Sequence, residues 1–168
     1  MWSGLLKVGK EMHSLDRKRI LTIGLVKLND TLGLSGSITR ILGDDEESGL
    51  VTSFGLTKED LRSGLPEIDE TALTQENPVI LDSEPYSAAV SPITYRNKIL
   101  GVLYAYSRAK EFPNEALQMI KAFAGCIGVA LENERRYRAA MRNWHEAIEE
   151  LWSKMDVWGT PGKFQNRK

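Results

Sequence analysis

The chain has 168 residues, and 42% of them are hydrophobic, so it is long enough to form one domain with its own core and an extension. Its formal net charge of -1 gives no concentrated basic surface, and we therefore expect no nucleic-acid partner. No apolar run near the N-terminus reaches the length of a signal peptide or a membrane span, which predicts a cytoplasmic protein with no membrane partner. Cys126 is the single cysteine, so an internal disulfide and a multi-cysteine metal site are excluded.

Two amphipathic helices are predicted ahead of the first strand. The first covers residues 5–12, and Ser14 is a suitable N-cap for the second. The second helix carries an apolar stripe with spacings of four, three and four residues: Leu21, Leu25, Leu28 and Leu32. Gly33 directly follows this stripe and is typical of the left-handed residue that ends a helix, so the helix is predicted to end near Leu32.

Five strands are predicted, because apolar and aromatic residues recur in short runs between turn residues. The runs are residues 37–42, 50–54 and 79–82, and the two arms of a hairpin within Ala89–Ser107 that turns at Asn97. The loop of residues 43–49 carries four acidic residues, but their spacing is not that of a calcium loop, so a solvated turn is favoured. Residues 56–78 are predicted to form a helical cover over one face of the sheet.

A long helix is predicted from Pro113 to Trp158, and glycine and proline residues follow it. Apolar residues repeat at heptad positions a and d over about six heptads, with Glu134 the only charged residue among them. Short strands cannot cover a helix of this length, so its second half needs another partner. We expect a homodimer, formed as a coiled coil of the terminal helices. Its predicted contact residues are Met141, Trp144, Ile148, Leu151 and Trp152. The alternative is that the long helix folds back onto the N-terminal helices of the same chain.

Several segments of the chain resemble the GAF domain, the small-molecule sensing module of many signalling proteins. They are Ser14-Leu15-Asp16, Leu50 to Leu56, Asn77 to Asp82, Ser91-Pro92-Ile93, Ile99 to Leu103, and Phe112 ahead of Glu115-Ala116-Leu117. The resemblance implies an α+β fold, with a GAF/PAS-like antiparallel sheet, the terminal helices packed on one face and a ligand pocket on the other. It divides the chain into an N-terminal helix (1–13), a GAF domain (14–133), a dimerising helical extension (134–158) and a tail (159–168).

Cyclic-nucleotide-binding members of the GAF family are similar to this chain at Asn97-Lys98 and Phe112. In those members a later Asp-Glu pair holds the lysine, whereas this chain has Ala116 and Leu117 at the corresponding positions. The resemblance therefore argues against cyclic-nucleotide binding.

Other GAF activities depend on cysteine or histidine. Free methionine sulfoxide reductases of this fold use several cysteines for thiol exchange, and bilin attachment needs a cysteine near the pocket, whereas Cys126 falls on the long helix. Neither His13 nor His145 is placed for a haem site. The ligand and any cofactor are therefore unidentified from the sequence.

The usual short catalytic motifs are absent, so we expect that the chain is not an enzyme. The candidate ligand contacts are Phe54, Tyr86, Ser91, Tyr104 and Tyr106, although for any one aromatic residue a place in the core or at the surface is favoured. The predicted function is a sensor or regulatory domain that binds a small molecule and relays its state through the terminal helices, acting with a signalling partner protein. The alternative is a protein-protein interaction and dimerisation module with a vestigial pocket.

Overall fold

The computed structural model describes residues 16–43, 49–57, 59, 73–75, 77–83, 86–108 and 111–158. Its helices and strands are α1 (Arg17–Leu32), β1 (Gly36–Ile41), β2 (Val51–Phe54), β3 (Val79–Ser83), β4 (Tyr86–Tyr95), β5 (Lys98–Ser107) and α2 (Asn114–Trp158). The chain divides into two compact units, Met1–Glu134 and Arg135–Lys168. The predicted helix at residues 5–12, the tail and most of the predicted helical cover lie outside the described residues.

The five strands form one antiparallel sheet in the order β2-β1-β5-β4-β3. Both predicted hairpins are present: β1 pairs with β2, and β4 pairs with β5. The second hairpin turns at Arg96, which has a φ of 52°, next to the asparagine that the sequence placed there. Residues 44–48 of the acidic loop lie outside the described residues, so the prediction of a solvated turn stays a prediction. The α+β class and the antiparallel sheet expected from the sequence are confirmed.

Helix α1 begins and ends through local backbone capping. The Asp16 side chain accepts a hydrogen bond from the Arg19 N–H at 2.9 Å, so the predicted N-cap at Ser14 is wrong: Asp16 satisfies the first turn instead. Gly33 ends the helix in the left-handed conformation, with a φ of 61°, and its N–H donates to the Asn29 carbonyl at 2.8 Å. Leu34, the residue after Gly33, packs against the core.

The two faces of the sheet are covered by different parts of the chain. We call one the helix face, because its residues pack with α1 and α2: Ala89, Ile93, Leu103 and Ala105 contact a core that includes Leu21, Leu25, Leu28, Ile120, Phe123 and Ile127. We call the other the tyrosine face, and it consists of Ile38, Ala88, Val90, Val102, Tyr104 and Tyr106. Successive strand residues alternate between the two faces. The packing of both terminal helices on one face is therefore confirmed.

Helix α2 lies very close to the sheet at Gly128. A Cβ atom at this position would overlap the carbonyl oxygen of Thr94, next to an irregularity in the β4–β5 pairing between Ile93 and Thr94. Only glycine permits this approach, since any side chain would push the helix off the strand. Gly125, one turn earlier, meets nothing within 4 Å at its Cβ position.

The heptad pattern of α2 serves two different purposes. Its first a and d residues are buried in the helix-face core: Ile120, Phe123, Ile127 and Ala130. Glu134, the charged residue at an a position, contacts α1. Its Oε2 lies 3.5 Å from Arg17 Nε, and both side chains are 9% exposed. The first part of the pattern is therefore core packing within the domain, and the coiled-coil prediction concerns residues after Glu134. Within the described part of the chain, no helix combines the length and apolar character that a membrane span requires.

Candidate functional site

Three of the predicted ligand contacts come together on the tyrosine face. The rings of Tyr104 and Tyr106 are stacked, with centroids 6.4 Å apart and planes at 19°. Tyr86 on β4 meets Tyr106 edge-on, with centroids 6.3 Å apart and planes at 81°. Both arrangements are favourable for aromatic rings. The cluster arises because Tyr104 and Tyr106 are two residues apart on β5, and β4 lies beside that strand.

Arg108 closes one end of this cluster. Its guanidinium lies 5.6 Å from the centroid of the Tyr86 ring, and its Nη2 donates to the Tyr86 hydroxyl at 3.5 Å. The backbone of Arg108 is also held, because its N–H donates to Ser35 Oγ at 3.1 Å. Ser35 in turn donates its own N–H to the Tyr106 carbonyl at 2.9 Å. A cation therefore lies beside the aromatic rings, on a backbone that hydrogen bonds hold in place.

Burial keeps the two central hydroxyls protonated. Desolvation raises the pKa of Tyr106 to about 12, with a smaller contribution from the neighbouring Tyr104. The pKa of Tyr104 is also raised by desolvation, against an opposing effect of the Arg40 charge. Protonated phenols donate and accept hydrogen bonds but are poor bases and nucleophiles at neutral pH. The cluster is therefore suited to binding and orienting a molecule.

Two leucines cover the tyrosine face. Leu56, after β2, and Leu73, before β3, both pack against the tyrosine-face core. Tyr104 is 1% exposed and Tyr106 is 6% exposed, whereas Tyr86 is half-buried. The rings of Tyr104 and Tyr106 are therefore buried, and Tyr86 and Arg108 form the accessible edge of the cluster.

Phe54 and Ser91 do not join the tyrosines. Ser91 pairs with Leu103, and residues directly paired across strands share a face, so its side chain lies on the helix face. Phe54 pairs with Ser37, which pairs with Ala105, and this also assigns Phe54 to the helix face. The sequence-based grouping of these two residues with the tyrosines is wrong, because the assignment of faces depends on strand register.

The sequence reasoning missed four residues of this region: Arg40, Leu56, Leu73 and Arg108. A signal was present for Arg108, which follows Tyr106 by two residues, the spacing of a shared strand face. Leu56 and Leu73 carry no such signal, because they lie outside the strands, where the two-residue strand period assigns no face.

Three of the predicted dimer contacts are exposed in the described part of the chain. Met141 is 43% exposed, Trp144 60% and Leu151 62%. Ile148 is half-buried, and the side chain of Trp152 lies outside the described residues. Tyr137, at the preceding d position, is also exposed. The side chains at heptad positions a and d form one apolar stripe on α2, which we call the α2 stripe: Tyr137, Met141, Trp144, Ile148 and Leu151.

Reactive and metal-binding groups are few in the described chain. Cys126 is half-buried on α2, and desolvation raises the pKa of its thiol, which disfavours the reactive thiolate. Among the residues that the structure describes, no group of three histidine, cysteine or acidic side chains is arranged to hold a metal ion. Binding chemistry at the tyrosine face is therefore the feature that the geometry supports.

The fold and its two covered faces can be compared with known proteins. A family model, described as GAF domain, matches residues 16–131. The chain belongs to the GAF domain family. No curated protein sequence matches it.

Solved GAF domains share this fold at low sequence identity. The GAF domain of an Acinetobacter phosphoenolpyruvate-protein phosphotransferase has 18% identity and a TM-score of 0.63, over 80% of this chain and 94% of that one. The corresponding Coxiella burnetii domain has 16% identity and a TM-score of 0.64, with coverage of 80% and 94%. The second GAF domain of DevS from Mycobacterium smegmatis has 24% identity and a TM-score of 0.60, with coverage of 74% and 99%. GAF domains are sensory and regulatory modules of signalling proteins.

Proposed function

We propose that this GAF domain is a sensor that binds a small molecule on its tyrosine face and relays the bound state through α2. The observation that carries the proposal is the clustering of Tyr86, Tyr104 and Tyr106 beside the guanidinium of Arg108. Such a cluster offers apolar area together with hydroxyl and cationic groups that orient a ligand. Its place in the fold, on the face away from the terminal helices, supports the same role.

Strand β5 supplies the route of the relay. Tyr104 and Tyr106 face the proposed ligand, while Leu103 and Ala105 on the same strand pack in the core that contains α2. A shift of β5 on one face therefore changes packing on the other, since close-packed interiors do not deform freely. The relay operates when the ligand binds one packing arrangement more tightly than the other.

The contact between Gly128 and Thr94 is the point at which such a shift would be transmitted to α2. Because the helix and strand backbones nearly touch there, a displacement of β4 at Thr94 moves α2 directly. Residues 135–158 belong to the same helix, so they would receive the change through a continuous backbone.

The exposed α2 stripe supports a second element of the proposal, the homodimer. Soluble proteins rarely leave several large apolar side chains exposed in one stripe, and a second copy of the helix would cover them. In this proposal the ligand state alters how two copies pack, and a signalling partner protein reads that change. The cytoplasmic location expected from the sequence stays a prediction.

The binding step is tested by native mass spectrometry of freshly purified protein, together with thermal-shift measurements against metabolites and nucleotides. We expect a compound that raises the melting temperature of the wild type and of Tyr95→Ala, but not of Tyr86→Ala. The two tyrosines are matched, since each lies at one end of β4 with an arginine over its ring. If no compound co-purifies or stabilises the protein, or if Tyr86→Ala responds like the wild type, the sensor proposal fails. The dimerisation module with a vestigial pocket would then remain.

A further inference from the structure

Two arginines flank the tyrosine face. Arg40 on β1 pairs with Val102, so its side chain shares the face of Tyr104, and its charge acts on that tyrosine. Arg108 lies at the Tyr86 end. Among the described residues, strand pairing places the charge of Arg40 at this face, and the contact with the Tyr86 ring places that of Arg108. An aromatic floor between two cations is a poor site for a cation and a good one for an anion.

Arg108 is the better placed of the two to bind an incoming group. It is exposed, so an anion can reach it without a large desolvation cost, while the bond from its N–H to Ser35 fixes its backbone. Its bond to the Tyr86 hydroxyl is long, at 3.5 Å, and an anionic oxygen would make a stronger, charge-assisted contact with the guanidinium. The planar fork of arginine also suits carboxylate, phosphate and sulfonate groups.

We propose that the tyrosine face selects a planar organic anion, with its ring system against Tyr86 at the accessible edge of the cluster and its acidic group at Arg108. This inference rests on the proposed sensor function and names the class of its ligand. The protonated hydroxyls of the cluster can donate hydrogen bonds to the same ligand without adding a competing negative charge.

A matched arginine is available at the other end of β4. The guanidinium of Arg96 lies 5.5 Å from the Tyr95 ring centroid, nearly the same contact as between Arg108 and Tyr86. Tyr95 does not belong to the tyrosine-face core, so Arg96 offers the same local chemistry without the cluster. Comparing Arg108→Gln with Arg96→Gln therefore separates anion selection at the cluster from the general loss of one positive charge.

Two fluorescent probes separate charge from ring binding. Anilinonaphthalene sulfonate is an aromatic anion with a planar naphthalene ring system, and phenylnaphthylamine has the same rings without the sulfonate. We expect Arg108→Gln to raise the Kd of the sulfonate probe roughly fivefold, the size expected of one exposed charge-assisted contact. The Kd of the neutral probe should not change, and Arg96→Gln should leave both values unchanged. Equal affinity of the sulfonate probe for the two arginine variants overturns the inference.

A second pair of variants locates the probes. Tyr86→Ala should weaken the binding of both probes. Tyr137→Ala, the same change on the α2 stripe, should leave the Kd of both probes at the tyrosine face unchanged. If Tyr86→Ala raises the Kd of both probes but Arg108→Gln leaves the Kd of the sulfonate probe unchanged, the proposed site is supported and its selectivity for anions is overturned. If neither probe responds to Tyr86→Ala, the proposed site and the inference fail together.

Discussion

Leu103 and Tyr104 are sequence neighbours on β5 that lie in different cores. Leu103 is fully buried among the side chains of α1 and α2, while Tyr104 is 1% exposed on the tyrosine face. Their separation follows from the two-residue period of a strand, which directs successive side chains to opposite sides of the sheet. One strand therefore contacts both the proposed ligand site and the helices.

The closeness of α2 to the sheet predicts opposite effects for two glycine substitutions. Gly128→Ala places a methyl group on the Thr94 carbonyl oxygen, so it should lower the free energy of unfolding by about 2 kcal/mol through overpacking. Gly125→Ala has open space at its Cβ, so it should raise the free energy of unfolding by about 0.5–1 kcal/mol through helix propensity. Urea unfolding of both variants measures the difference, and a stabilised Gly128→Ala would show that the close contact is absent.

The Arg17–Glu134 ion pair is expected to matter more than an exposed pair. Both side chains are 9% exposed, so Glu134→Gln removes a negative charge that lies beside a mostly buried arginine and should cost about 2 kcal/mol. The control is Glu150→Gln, which removes the exposed bond to Lys154 and should cost less than about 0.5 kcal/mol. Thermal unfolding measures the loss of stability in each variant, and equal losses would mean that Glu134 is not held by Arg17.

The raised pKa of Tyr106 predicts a loss of stability at alkaline pH. The folded protein keeps this phenol protonated up to about pH 12, whereas the unfolded chain ionises near pH 10. Because the unfolded state loses its proton first, the contribution to stability is complete below pH 10 and is lost as the pH rises toward about 12. Across this pH range the free energy of unfolding should decline less steeply for Tyr106→Phe than for the wild type. Identical pH profiles would contradict the desolvated position of the hydroxyl.

The homodimer proposal depends on the α2 stripe. Trp144→Glu places a charge in the middle of the stripe and should shift sedimentation from dimer toward monomer. Ser153→Glu adds the same charge at heptad position f, on the opposite side of the helix, and should leave the sedimentation coefficient unchanged. A wild type that sediments as a monomer, or a Trp144→Glu variant with unaltered mass, would contradict self-association through this surface.

Sequence patterns were sufficient to predict the strands, the long helix and the stripe of α1, because each depends on local periodicity. The register of the sheet is not local, and Phe54 and Ser91 were grouped with the tyrosines although the register places them on the other face. The N-cap illustrates a smaller difficulty, since Ser14 and Asp16 both belong to capping residue types and the structure uses the later one. Arg108 was missed although its spacing from Tyr106 was a signal, because its contact with Tyr86 joins residues that are far apart in the sequence.

The central claim is that binding at the tyrosine face changes the packing of α2, and hydrogen-deuterium exchange tests it most directly. The compound found in the thermal-shift screen is added to wild type and to Tyr86→Ala, and exchange is compared with and without it. In the wild type we predict altered exchange in β4, in β5 and in residues 114–134 of α2, whereas the variant should show none of these changes. Altered exchange confined to the strands and to the segment between β2 and β3, with α2 unaffected, would contradict the relay.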